Sequence, residues 1–130
     1  KLPYVMIGSD SSARSFPGIS CAGKPHPRGF GSFPRFIGKY VREYGLMQLS
    51  EAIRRITYLP AQIFNLEKRG LIKEGFYADL CIFNYDEFID NATFEEPFRR
   101  PDGIYYVFIN GSLVIKEGKY TGRLSGRILK

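Results

Sequence analysis

The sequence predicts an α+β chain, with helices gathered before about residue 66 and short antiparallel strands after it. Apolar residues recur at helical spacing between Phe36 and Ile56, and the period turns strand-like after Gly70. Farther on, two apolar runs are separated by Asn110-Gly111, a pair that accepts positive φ at both positions of a tight hairpin turn. With 130 residues, 44% of them apolar and 25% charged, the chain has enough material for one ordinary core.

Taken in order, Val5-Met6-Ile7 is a short apolar run closed by Gly8-Ser9-Asp10, which predicts a buried strand ending in a polar loop. Ser11 to Phe33 is rich in Ser, Gly and Pro without periodicity, and predicts one long ordered loop of the kind that walls active sites. A helix follows with Pro34 in its first turn, Phe36, Ile37, Tyr40, Val41 and Tyr44 on one face, and Gly45 as its stop. The next has Gln48 at the cap, Glu51 three residues on, and Leu49, Ala52, Ile53 and Ile56 on its apolar face. Pro60 is expected to end it, and Pro60-Ala61 to open a third helix running to Leu66.

The β half is expected to use Leu71-Ile72, Ala78 to Phe83, Ile104 to Ile109 and Ser112 to Ile115, with Tyr105, Tyr106 and Phe108 in its core. The basic tail from Tyr120 to Lys130 fits either a last edge strand or a loose arm. No internal repeat or low-complexity segment is present. A lone first strand would lack a sheet partner, and with no initiator Met the chain reads as starting in mid-protein.

Nineteen Lys and Arg against 13 Asp and Glu give a formal charge of +6, which favours anionic partners without choosing among them. The cations are scattered among anions, and no Lys/Arg run or RNA-binding signature appears, so nucleic acid is not the expected partner. Apolar runs are strand-sized, far short of the roughly 20 residues of a membrane-spanning helix. Cys21 sits in the loop and Cys81 in an apolar run, without metal-ligand spacing, and both are expected as reduced packing thiols in a cytoplasmic protein. On that expectation the sequon Asn91-Ala92-Thr93 carries no meaning.

The string Thr57-x-x-Pro60-Ala61, then Leu66-x-x-Arg69-Gly70-x-Ile72-x-x-Gly75-x-x-Ala78-Asp79-Leu80, resembles the exit from the barrel of the amidohydrolase superfamily. His26-Pro27-Arg28 through Phe33-Pro34-Arg35 and Tyr40-Val41-Arg42-Glu43, then Asp90-x-Ala92-Thr93-Phe94-x-x-Pro97, and finally Gly103-Ile104 to Asn110-Gly111 narrow the resemblance to the D-aminoacylases. The ending Thr121-Gly122-x-x-x-Gly126-Arg127 fits as well. This group is also called the N-acyl-D-amino-acid deacylases. The resemblance implies an α/β parent: residues 1–66 as the terminal strand, active-site loop and helices of a (β/α)8 barrel, and 67–130 as a small β-sandwich domain. The amino-terminal remainder of the barrel would lie outside this chain. Two departures stand out: Ser11 replaces the Gly usual after the catalytic Asp, and Asn65 replaces a Gly at the end of the third helix.

The same resemblance implies the chemistry. Asp10 would end the eighth barrel strand beside a zinc site, as general base and acid in hydrolysis of an N-acyl-D-amino acid and as a weak or second-metal ligand. Read on its own residues, without the resemblance, Asp10 in Gly8-Ser9-Asp10-Ser11 is first a helix- or turn-capping carboxylate. Most zinc ligands would be His and Cys of earlier strands that this chain does not contain. Ser9, His26, Arg28 and Arg14 are the expected substrate contacts, His26 standing between that role and a histidine bonded to backbone. Among the loop cations Arg14, Lys24, Arg28 and Arg35, one is expected to take the substrate carboxylate. Rival readings are a dihydroorotase-, hydantoinase- or deaminase-like amidohydrolase, and a non-catalytic basic β-rich binding module. The isolated chain is expected to be inactive and to self-associate through uncovered apolar faces.

Overall fold

The computed structural model describes residues 2–14, 18 and 22–129; Cys21 and part of the long loop lie outside them. The elements are α1 (Arg28–Arg35), continued by a π-helical segment Phe36–Glu43, then α2 (Leu49–Ile56), α3 (Tyr58–Ile63), β1 (Leu80–Phe83), β2 (Ile104–Ile109), β3 (Ser112–Lys116) and β4 (Lys119–Tyr120).

The first helix starts earlier than Pro34, at Arg28, so the end of the expected loop is helical and Pro34 lies inside α1, buried. Gly29, Gly31 and Pro34 are poor helix formers, and tertiary packing overrides that preference. A Cβ on Gly31 would come within 3.0 Å of Asp90 Oδ2, and one on Gly38 within 2.5 Å of the Phe88 carbonyl oxygen. The bare backbone at these positions admits the later segment around residues 88–90. Pro34 withholds one N–H from the helical ladder, and the helix widens just after it. At the far end the Tyr44 N–H donates five residues back, to the Lys39 carbonyl at 3.0 Å. Gly45, at φ 58°, stops the helix as expected.

In α2, Glu51 does not fold back on Gln48 as a capping box would. Instead it accepts from Arg54 Nε and Arg55 Nε, each at 2.7 Å, and these guanidinium groups pull its carboxyl down to about 2. α2 ends at Ile56, before Pro60, and α3 begins at Tyr58, so Pro60 sits in the first turn of α3 rather than between the helices. Thr57 makes the break, with φ −128° and ψ −80°, its Oγ1 donating to the Ile53 carbonyl at 2.7 Å. Asn65 takes φ 53° just beyond α3, a conformation Asn tolerates.

Residues 5–7 are not a strand, and Val5 is exposed. No neighbouring strand among the described residues offers a ladder. The carbonyls of Pro3 and Val5 accept instead from Arg54 at 2.6 Å and Arg55 at 3.4 Å, while Ile7 packs on the core.

The four strands form one antiparallel sheet in sequence order, with Leu80 opposite Phe108, Val107 opposite Ile115, and Ile115 opposite Tyr120. No second sheet is present among the described residues. Leu71-Ile72 is not a strand, Ile72 being almost wholly exposed, and Tyr105 is exposed rather than core, its hydroxyl donating to Glu87 at 2.9 Å. The hairpin stands as expected, with φ 49° at Asn110 and 80° at Gly111. Asp79 Oδ1 accepts the Asn110 N–H at 2.8 Å, and Arg69 donates both to Asp79 and to Asn110 Oδ1. The Arg and Asp of the exit string thus clamp the hairpin turn. Of the described residues of the basic tail only Tyr120 is in a strand, pairing with Ile115 at the sheet edge, and the Tyr77 ring meets the guanidinium groups of Arg69 at 4.4 Å and Arg127 at 4.1 Å.

Ile37 and Ala52 are fully buried and pack with Phe36, Val41 and Phe88; Phe83, Tyr85 and Ile104 join from the β half. Arg42 adds hydrogen bonds to the carbonyls of Tyr85 at 2.6 Å and Phe88 at 3.0 Å. The core therefore draws on both sides of Leu66.

Candidate active site

The turn after the first segment falls at Asp10, not at Ser11. Asp10 takes φ 48°, a left-handed conformation that Asp tolerates better than most residues, and Ser11 stays out of that region. Ser11 lies against α1 instead, its Oγ 2.7 Å from where a Cβ on Gly29 would stand, so Gly29 makes room for the chain just after Asp10. This geometry brings the Asp10 carboxylate to 3.0 Å from Arg28 Nη2, with 89% of the Asp10 side chain and 44% of the Arg28 side chain exposed. An ion pair so open contributes about 0–1 kcal/mol. It is exchangeable, and a carboxylate arriving from solution can take the place of Asp10 on the guanidinium.

His26 Nδ1 accepts the Arg28 N–H at 3.0 Å, which assigns the ring proton to Nε2. Its ring stands edge-on to Phe94, centroids 4.9 Å apart. His26 is thus bonded to backbone, one of its two expected roles, with Nε2 left as its second polar atom. Ser9 is half-buried, Arg14 half-buried and Lys24 exposed.

Arg28, Gly31, Ser32 and Arg35 recur at helical spacing along α1 and line a hollow of about 320 Å³, closed on the other side by Asp90, Ala92, Thr93 and Phe94. The Asp90 side chain is 5% exposed, and its Oδ2 accepts from Arg35 Nε at 2.9 Å and Nη2 at 2.7 Å. That hydrogen-bonded carboxylate raises the Arg35 pKa and occupies its fork. Of the four loop cations, Arg28 is the one that both meets Asp10 and lines the hollow; Lys24 and Arg14 are not part of its wall. Residues 90–94 carry no local pattern that marks them as part of a site. Their signal was the stretch Asp90-x-Ala92-Thr93-Phe94, which carried resemblance but no evident chemistry.

A wider apolar groove of about 650 Å³ runs between the helices and the sheet, with Phe33, Ile53, Leu71, Cys81 and Phe83 in its walls. Cys81 is exposed on this groove, not packed in the core, and desolvation by its apolar surroundings pushes the thiol pKa up. Among the described residues no three His, Cys, Asp or Glu side chains come together to hold a metal ion. Asp10 alone does not make a cage, so the described residues do not by themselves fit zinc. Among the described residues no helix is long and apolar enough to cross a membrane.

Comparison with known proteins agrees with this layout. Residues 5–115 match the model of the amidohydrolase family. The chain is 42% identical over 124 residues to the D-aminoacylase of Alcaligenes xylosoxydans xylosoxydans, covering 95% of this chain and 24% of that protein. A D-aminoacylase crystal structure that defines a subset of amidohydrolases superposes with a TM-score of 0.84 at 41% identity, over 95% of this chain and 24% of that one. The N-acyl-D-glutamate deacylase of Bordetella bronchiseptica, complexed with zinc and a phosphonate mimic of the tetrahedral intermediate, superposes at 0.77 with 42% identity, over 87% and 22%. The chain spans about a quarter of the length of these relatives. It belongs to the amidohydrolase family, in the branch of the D-aminoacylases and N-acyl-D-amino-acid deacylases.

Proposed function

We propose that this chain is the carboxy-terminal part of a zinc-dependent hydrolase that removes the acyl group from N-acyl-D-amino acids, with Asp10 as its general base and acid. The observation that carries the reading is the open pairing of Asp10 with Arg28 beside the hollow. A substrate carboxylate taken up by the planar fork of Arg28 releases Asp10 from its ion pair. The freed carboxylate accepts a proton from the attacking water and returns it to the leaving amine as the amide C–N bond breaks. His26 and Ser9 are assigned to substrate contact on the same side, with Arg14 as a further cation. The zinc of this proposal rests on the Bordetella relative, and its cage belongs to residues outside this chain. So do the rest of the (β/α)8 barrel, taken here to end near residue 66, and the remainder of a β-sandwich. Residence in the cytoplasm belongs to the same reading.

In the full-length protein, Asp10→Asn with metal content preserved should lower kcat toward N-acetyl-D-amino acids by about 10²- to 10⁴-fold. Unchanged turnover sinks the assignment. The isolated chain leaves Val5, Ile72 and the apolar groove uncovered. Light scattering should therefore show a mass that grows with concentration, and a concentration-independent monomer would contradict this. The rival basic binding module loses support because Arg35, Arg54, Arg55 and Arg69 are each engaged by a carboxylate of the chain itself.

A further inference from the structure

Asp90 lies far along the chain from Asp10, in the segment between β1 and β2, yet it grips the same helix that presents Arg28. The exposed Asp10–Arg28 pair is too weak to set its own geometry, so the direction of Arg28 depends on what fixes α1. Two contacts do so from one residue. The Asp90 carboxylate holds the Arg35 fork through two hydrogen bonds on a single oxygen, at 2.9 and 2.7 Å. The same oxygen lies 3.0 Å from the position of a Cβ on Gly31, so the helix backbone is seated directly on it. Gly31 and Arg35 stand one and two turns along the helical face that begins at Arg28. Ser32 Oγ donates to the Arg28 carbonyl at 2.8 Å, tying the first turn to the second. Asp90 is in turn held from behind, since Ile89 pairs with Asp102 and the Asn91 amide donates to the Arg100 carbonyl at 3.0 Å.

We propose that Asp90 is a positioning residue for Arg28: by seating Gly31 and holding Arg35, it sets the rotation of α1 and so the place where Arg28 receives the substrate carboxylate. This inference rests on the deacylase reading given above. It assigns to the β half a part in substrate selection, exerted through the helix rather than by contact.

The test uses the full-length enzyme and two substrates, an N-acetyl-D-amino acid and its α-carboxamide, which lacks the charge that Arg28 would hold. Asp90→Asn, which keeps the shape and removes the charge, is expected to raise KM for the acid by about tenfold to a hundredfold. Turnover at saturation should stay within about twofold, because Asp10 is untouched. The carboxamide should show no change in kcat/KM, and in an Arg28→Met background Asp90→Asn should have no further effect. Equal losses on acid and carboxamide, or an unchanged KM for the acid, would overturn the proposal and leave Asp90 as a packing residue. If Asp90→Asn does not fold, Arg35→Lys loosens the same grip and is judged by the same two ratios. A wild-type enzyme inactive on both substrates instead removes the deacylase reading, and this inference with it.

Discussion

The carbonyl oxygen of Phe88 lies so near Gly38 that a Cβ there would sit 2.5 Å from it. Replacing Gly38 with Ala should therefore destabilise the chain by about 1–3 kcal/mol, the cost of overpacking a tight contact. That exceeds the roughly 0.5–1 kcal/mol that Ala contributes over Gly within a helix. Gly31→Ala meets a side-chain oxygen at 3.0 Å rather than backbone and should cost less. Urea unfolding of the two variants, compared by midpoint at constant slope, checks both the sign and the order.

Glu51 carries an acid dependence of stability. Its folded-state pKa of about 2 lies below the ordinary value of 4.5, so the unfolded chain takes up the proton first. The stabilisation from its pairs with Arg54 and Arg55 is complete above about 4.5 and is lost as the pH falls through about 2. Glu51→Gln should remove that part of the dependence, with thermal midpoints across this window falling less steeply than in the parent chain. Because Arg54 also holds the Pro3 carbonyl, the variant should loosen residues 3–5 as well, as faster exchange of the Tyr4 and Val5 amides would show.

Cys81 should alkylate slowly for an exposed cysteine. Its thiol pKa is raised by the apolar surroundings, so little thiolate is present near neutral pH. Iodoacetamide labelling followed by mass spectrometry at that peptide should accelerate in denaturant, and in the folded chain should climb with pH later than for a free thiol. Rapid neutral labelling of the folded chain would contradict this.

Much of the fold was legible from the sequence where one local rule acted alone. Asn110-Gly111 made its hairpin because both residues accept positive φ, and Gly45 ended its helix for a related reason. The start of α1 was hidden because Gly29, Gly31 and Pro34 read as loop until the segment that packs on them is known. Residues 5–7 carried a strand pattern, but a strand is made by its neighbour, and the described chain supplies none. In the site, the sequence marks Asp10 and Arg28 as separate candidates, but their meeting at 3.0 Å is a relationship that only the fold supplies. Ser11 in place of Gly is accommodated, since the positive φ of this turn falls at Asp10 itself. Asp90 and Phe94 could not be read as site walls, because their nearness to α1 is a long-range fact with no local signature.

The glycines of the first helix and the backbone they admit form a seam written in two distant stretches of sequence. Gly31 and Gly38 are encoded well before Asp90 and Phe88, yet each is shaped for the other. A chimera that joins the helices of one family member to the strands of another would inherit half of that seam from each parent. Such hybrids should be tolerated or rejected according to whether these pairs travel together, more than by where the chain is cut.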